Sequence, residues 1–144
     1  MSLLFVCTGN YYRSRFAELY FRHLAAKYEV GWDVASRGLR LHPANDGAIS
    51  QHTIRECERL GIPTRPLRLP IELQKDDLRR AKLTIAVKET EHRPLMRETF
   101  PDWENRIEYW EVHDLDLAPP NEALPQLRQH VDSLFERLQL RAMT

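Results

Sequence analysis

Apolar and polar positions along this chain fall into blocks whose period changes several times. Residues 2–7, Ser-Leu-Leu-Phe-Val-Cys, are a short apolar run, and the break at Thr8-Gly9-Asn10 favours a buried strand over a helix. Phe16, Tyr20 and Leu24 then recur every four residues, with Ala17 and Phe21 beside them. That spacing predicts a helix from near Arg13 to near Tyr28. Residues 28–38 read as a second strand, ended by Gly38. Residues 48–61 read as a helix with Gly61 just past its end, where a left-handed residue commonly closes a helix. The runs 82–87 and 106–112 are continuous and β-prone, and residues 89–100 between them read as a short helix. The Pro-rich stretch 116–125 reads as a loop. The last element is the clearest, because Leu127, Val131, Leu134, Phe135 and Leu138 form one apolar stripe.

The resulting order is β-α-β-α, a loop, then β-α-β-α. Such alternation predicts an α/β fold, one domain over residues 1–144, with a parallel sheet covered by helices on both faces. Ligands of such open sheets bind beyond the carboxyl ends of the strands. Cys7 stands at the carboxyl end of the first strand.

Composition narrows the class. The 144 residues carry 21 Lys+Arg and 21 Asp+Glu. A formal net charge of zero argues against a nucleic-acid or membrane-surface partner, either of which selects a basic excess. The balance hides an asymmetry. Residues 1–75 hold 11 basic and 7 acidic side chains, whereas residues 76–144 hold 10 and 14. An anion site is therefore expected in the first half. Two cysteines, Cys7 and Cys57, cannot build a disulfide framework and read as reduced thiols of a cytoplasmic protein. No secretory signal is visible, and no apolar stretch approaches membrane-spanning length.

The segment Cys7-Thr8-Gly9-Asn10-Tyr11-Tyr12-Arg13-Ser14 carries the candidate chemistry. A Cys followed six positions later by Arg is weak alone, since 17 of the 21 basic residues are Arg. Its context is stronger: a loop joins a buried strand to a helix that opens at the Arg. Consecutive N–H groups of such a loop form an anion nest, reinforced by the helix dipole. A cysteine at its base is held as the thiolate. The nest would also take a phosphoryl group, and Arg13 could grip two of its oxygens in a fork that lysine lacks. Gly9 and Asn10 tolerate positive φ in a tight loop. Ser14 could donate to the sulfur and ease its departure.

The stretch Leu4–Arg22 resembles the N-terminal signature of the low-molecular-weight protein tyrosine phosphatase family, whose core is V-C-x-x-N-x-x-R-S. Cys7, Asn10, Arg13 and Ser14 fall on its invariant positions, and Ala17-Glu18 fit the helix that follows. Residues 35–39, Ala-Ser-Arg-Gly-Leu, resemble a family turn that places Ser36 where a serine steadies the phosphate loop. Residues 73–96 resemble the third strand and its flanking helices. The resemblance implies a four-stranded parallel sheet with a phosphate-binding loop after the first strand, and phosphomonoester hydrolysis with no cofactor and no metal. The implied substrate is a phosphorylated protein or a small aryl phosphate. Cys7 would form a phosphocysteine, Arg13 would bind phosphate, and Thr8, Gly9, Asn10, Tyr11, Tyr12, Ser14 and Ser36 would build the substrate site. An aspartate would protonate the leaving oxygen and then activate water.

The chain departs from the family pattern at four places. Tyr12 stands where a second cysteine is usual, and Arg15 where a proline is usual. No Asp-Pro pair follows the fourth strand; Asp114 holds the expected place of the acid, with Asp116 two residues on. The aromatics that would grip a phosphotyrosine ring are missing from that loop, a role open to Tyr11 or Tyr12. Two rival readings follow: a non-catalytic phosphate-binding module, or an arsenate reductase sharing the opening Cys-Thr-Gly-Asn. Arsenate reduction needs three thiols in relay, and Cys57 sits in a helical pattern as a core residue. The six histidines show no ligand spacing, and Trp32, Trp103 and Trp110 read as core or loop anchors.

Overall fold

A computed structural model of the protein describes residues 2–45, 47–114 and 118–142. Its central layer is a parallel four-stranded sheet in the order β2-β1-β3-β4. Strand β1 spans Ser2–Cys7, β2 Asp33–Gly38, β3 Leu83–Ala86 and β4 Glu108–Tyr109. Five α-helices join them: α1 Arg13–Lys27, α2 Gln51–Arg59, α3 Lys75–Arg80, α4 Glu89–Thr99 and α5 Pro120–Ala142. The expected single α/β domain with helices on both faces is the architecture observed. No helix among the described residues is long and apolar enough to cross a membrane.

The continuous apolar run of β1 follows from its place in the sheet. Flanked by β2 and β3, it is buried on both faces, so alternation with polar residues is lost. Leu3 and Phe5 point into a cluster with Phe16 and Phe21 of α1 and Leu127 and Val131 of α5. Leu4 and Val6 point the other way, toward Leu78 of α3 and Met96 of α4. The apolar stripe read at the end of the sequence is therefore the α5 face that covers one side of the sheet.

Several boundaries differ from the sequence reading. Residues 28–32 are not strand: α1 closes at Tyr28, Glu29 takes a φ of 54°, and only then does β2 begin. Of residues 106–112 only two are regular strand, because β4 is an edge that pairs with the short β3 alone. Its β-prone continuation still bonds to β3, through Trp110 N–H to Ala86 O and Val112 N–H to Val87 O. The segment 116–125 is helix from Pro120 onward. Proline is well suited to a first helical turn, where its missing N–H has no partner to lose. Helix α3 lay in a stretch with no pattern of its own, and only the family resemblance indicated it. Gly61, with φ of 73°, stands just past α2 as expected.

Register sets the site. Cys7 lies beside Gly38, so the carboxyl ends of β1 and β2 meet at one edge. A Cβ on Gly38 would come within 2.8 Å of both the Thr8 carbonyl oxygen and Leu41 Cδ2, and within 3.0 Å of Asn10 Cβ. The loop after β1 thus packs directly on the glycine backbone. Gly38→Ala is expected to cost about 2 kcal/mol of stability, a fall in Tm of roughly 5 °C. An unchanged melting curve would mean that this contact does not constrain the loop.

Candidate active site

The loop 8–12 turns back over the end of β1, and its tightest point is Asn10, with φ of 49°. Of the two residues suited to a positive φ here, Asn10 takes it and Gly9 does not. Asparagine tolerates that region because its short side chain bonds locally. Here its side chain is fully used. Asn10 Nδ2 donates to Ser14 Oγ and to Ser36 Oγ, each at 2.9 Å, and its Oδ1 accepts from Ile71 N–H and Arg68 Nη1, each at 3.0 Å. The turn brings Asn10 N–H to 3.3 Å from Cys7 Sγ, and Ser14 Oγ lies 2.9 Å from the same sulfur. Two polar hydrogens can therefore converge on the buried thiol.

Asn10, Ser14 and Ser36 are fully buried behind the loop and do not line the cleft above it. They hold the loop from below. Ser36 donates to Glu18 Oε1 at 2.6 Å, and Arg68 bonds to Asn10, Ser36 and Glu18 together. Burial raises the Glu18 pKa, but Ser36, Arg68 and Arg22 outweigh it and the carboxyl is held below its usual range. Neither Glu18 nor Arg68 was given a role by the sequence. Arg68 comes from an irregular segment whose pattern says nothing about where it folds.

Arg13 opens α1 and is buried to 2% exposure. Its Nη1 donates to Val112 O at 3.0 Å and its Nη2 to Glu91 Oε2 at 2.9 Å, with Asp114 Oδ2 at 3.4 Å. Burial opposes the Arg13 charge, yet Cys7, Glu91 and Asp114 together raise its pKa. Glu91 is a third residue that sequence reasoning missed. It lies in the first turn of α4 and also accepts from the Thr8 hydroxyl. His92 beside it is fully buried. Lys88 N–H donates to His92 Nδ1 at 3.0 Å, so the neutral ring carries its proton on Nε2, which lies 3.1 Å from both Thr8 Oγ1 and Glu91 Oε2. Burial lowers the His92 pKa, keeping the ring neutral.

Burial raises the Glu91 pKa, but hydrogen bonds from His92, Arg13 and Thr8 and the Arg13 charge hold the carboxyl well below the usual carboxylate range. A depressed carboxylate contributes stability that is present above its unfolded pKa of about 4.3 and is lost as pH falls toward the folded value. Thermal stability is therefore expected to drop on acidification below about pH 5. Glu91→Gln should melt lower at neutral pH and lose less on further acidification. Parallel Tm-against-pH curves for the two proteins would remove Glu91 from this linkage.

Cys7, Thr8, Gly9, Tyr11, Tyr12, Arg13 and Asp114 all line one open cleft of about 400 Å³. Arg40 and His42, which the sequence reading did not single out, complete its far wall. Asp114 is 42% exposed, on the side of the cleft where the segment after β4 passes Arg13. Asp116 lies outside the described residues. Tyr11 is half-buried at the rim. Tyr12 is buried, packs edge-on against the His52 ring at 6.2 Å, and burial together with the Asp114 charge pushes its pKa up to about 12. Burial likewise pushes the Cys57 thiol up to about 12, within the core under α1. Among the described residues no group of three or more His, Cys, Asp or Glu could hold a metal ion.

A thiol at a strand's end, met by the Asn10 N–H and the Ser14 hydroxyl and beside a buried arginine, is an arrangement suited to a cysteine-based phosphatase. A sequence model of the low molecular weight phosphotyrosine protein phosphatases matches residues 2–140, and the chain belongs to that family. No curated protein sequence matches closely enough to be counted a relative. Among solved structures, the YwlE arginine phosphatase from Geobacillus stearothermophilus superposes with a TM-score of 0.80 at 24% identity, covering 99% of this chain and 95% of its own. A YwlE arginine phosphatase mutant with a phosphorylated active-site serine in place of cysteine superposes at 0.76 and 20% identity, covering 100% and 97%. The tyrosine phosphatase Wzb from Escherichia coli K30, in complex with sulphate, superposes at 0.77 and 20% identity, covering 95% and 97%. At these identities the likeness is one of fold.

Proposed function

We propose that this phosphatase hydrolyses phosphotyrosine in proteins, or small aryl phosphates, through a phosphocysteine intermediate. The observation that supports this reading is the convergence of Cys7, Arg13 and Asp114 on one cleft with Tyr11 at its rim. The Cys7 sulfur attacks phosphorus, the bond to the aryl oxygen breaks, and Asp114 gives that oxygen its proton. Arg13 and the loop N–H groups stabilise the charge spread over the phosphoryl oxygens. Water then attacks phosphorus, Asp114 takes its proton, and the sulfur leaves with Ser14 as hydrogen-bond donor. Every group this route needs is a side chain or loop amide, so no cofactor enters. The solved arginine phosphatase with a phosphorylated serine in place of its cysteine supports the covalent step. Two buried free thiols support a reducing, cytoplasmic setting.

Asp114 is assigned as the acid because it lines the cleft beside Cys7 and Arg13, its Oδ2 3.4 Å from Arg13 Nη2. Asp114→Asn should slow phenyl phosphate hydrolysis by about 10²-fold or more. It should slow an activated nitrophenyl ester far less, since a good leaving group needs no proton. If Asp116→Asn shows that pattern and Asp114→Asn does not, the roles are exchanged. If neither shows it, the chain is a phosphate-binding module. Turnover of phosphotyrosine against phosphoarginine peptides tests the substrate class. Tyr11 at the cleft rim favours the aryl ester by stacking, and a preference for phosphoarginine would overturn that choice. Arsenate should act only as a phosphate mimic, because Cys57 is a core thiol. Arsenite production with thioredoxin would contradict this.

A further inference from the structure

A cavity of about 550 Å³ lies apart from the cleft above Cys7. It lies behind the phosphate loop, between α1 and the segment that follows α2. Its walls combine apolar side chains such as Leu19, Ile62 and Leu67 with four arginines: Arg15, Arg22, Arg65 and Arg68. The one acid lining it is Glu18, and both its oxygens are taken, one by Arg22 and the other by Ser36 and Arg68.

Arg15 is the unusual member. It is 4% exposed, and among the described residues it forms no ion pair. Its guanidinium donates only to carbonyls, those of Asn10 at 3.3 Å, Ala48 at 2.9 Å and Arg68 at 2.8 Å. A buried cation without an anion is costly, and burial followed by the like charge of Arg68 lowers the Arg15 pKa to about 10. Glu18 and Cys7 offset this only in part and without a direct ion pair among the described residues, so Arg15 brings a positive charge to the wall of an apolar-sided cavity.

We propose that this cavity is a second binding site, for a small organic anion with an apolar body. The carboxylate, sulfonate or phosphate of such a ligand would face Arg15 and Arg68, and its apolar part would cover Leu19, Ile62 and Leu67. The site is separate from the cleft above Cys7, yet Arg15 and Arg68 also bond to Asn10, so a ligand here touches the support of the phosphate loop.

The test uses anilinonaphthalene sulfonate, with N-phenylnaphthylamine as a neutral probe of similar body, on isotopically labelled protein. The sulfonate should bind at least about tenfold more tightly than the neutral dye, the order expected of one charge-assisted pairing. It should shift the amide signals of Leu19, Thr64 and Leu67. Ala26→Trp, at the exposed rim on α1, should block the cavity, and Arg65→Glu should weaken binding about fivefold. Neither residue bonds to the phosphate loop among the described residues, so folding of the catalytic cleft is not at stake. Shifts confined to residues 8–11 and Asn45 would overturn the proposal, as would equal binding of the neutral dye. So would unchanged affinity in either rim variant.

Discussion

Cys7→Ser is expected to lose turnover of aryl phosphates by about 10⁵-fold, in the range seen when a covalent nucleophile is removed. The substitution changes one atom at the end of β1. Serine is a far weaker nucleophile than a thiolate, and the loop donates hydrogen bonds to this position without providing a base beside it. The nearest polar partners, Asn10 N–H and Ser14 Oγ, stabilise a charge on sulfur but cannot deprotonate a serine hydroxyl. Phosphate binding should survive, because Arg13 and the loop amides are untouched. The measurement is steady-state hydrolysis beside phosphate inhibition of the two proteins. A variant that keeps substantial turnover would leave Cys7 outside the chemistry. Cys57→Ser should cost stability rather than turnover, since Cys57 is a core side chain.

Arg13→Lys should reduce kcat by about 10³-fold, near the loss seen when a preorganised charge-stabilising donor is removed. Lysine keeps the charge but not the fork. Arg13 reaches Val112 O, Glu91 and Asp114 at once, and this fixes the plane of the guanidinium before any substrate arrives. An ammonium in the same buried place is a point charge, free to settle on Glu91 alone. The lysine variant isolates geometry from charge, and it avoids leaving Glu91 beside an empty, part-buried site. Near-normal kcat for this variant would show that Arg13 does not clamp the transferring group.

The order of strands and helices was readable because burial in this fold acts locally. A strand covered on both faces must be a continuous apolar run, and helices packed on one side must show a stripe. Cys7, Asn10, Arg13 and Ser14 were readable for the same reason: loop, nucleophile and helix start lie within one short segment. Glu91, His92, Glu18 and Arg68 were not. Glu91 and His92 reach the site from α4, Arg68 from the segment after α2 and Glu18 from within α1, through contacts to residues distant in sequence, and no local period marks them. The Glu91-His92 pair looked like an ordinary helix start, and its meaning appears only when α4 is set beside Thr8 and Arg13. The edge strand β4 was overestimated because β-prone composition reports half-burial, whereas regular pairing needs a long neighbour and β3 supplies only four residues.

The central claim is that phosphorus passes through the sulfur of Cys7. Acid quenching during turnover of an aryl phosphate, followed by peptide mass analysis, tests it most directly. The account predicts a phosphoryl adduct on the peptide holding Cys7, absent from that of Cys57, with a burst of phenol of about one equivalent if hydrolysis of the intermediate is slow. Asp114→Asn should raise the trapped fraction with an activated ester, because its second step lacks a base. Full turnover with no adduct on Cys7 in either protein, together with retained activity in Cys7→Ser, would contradict it.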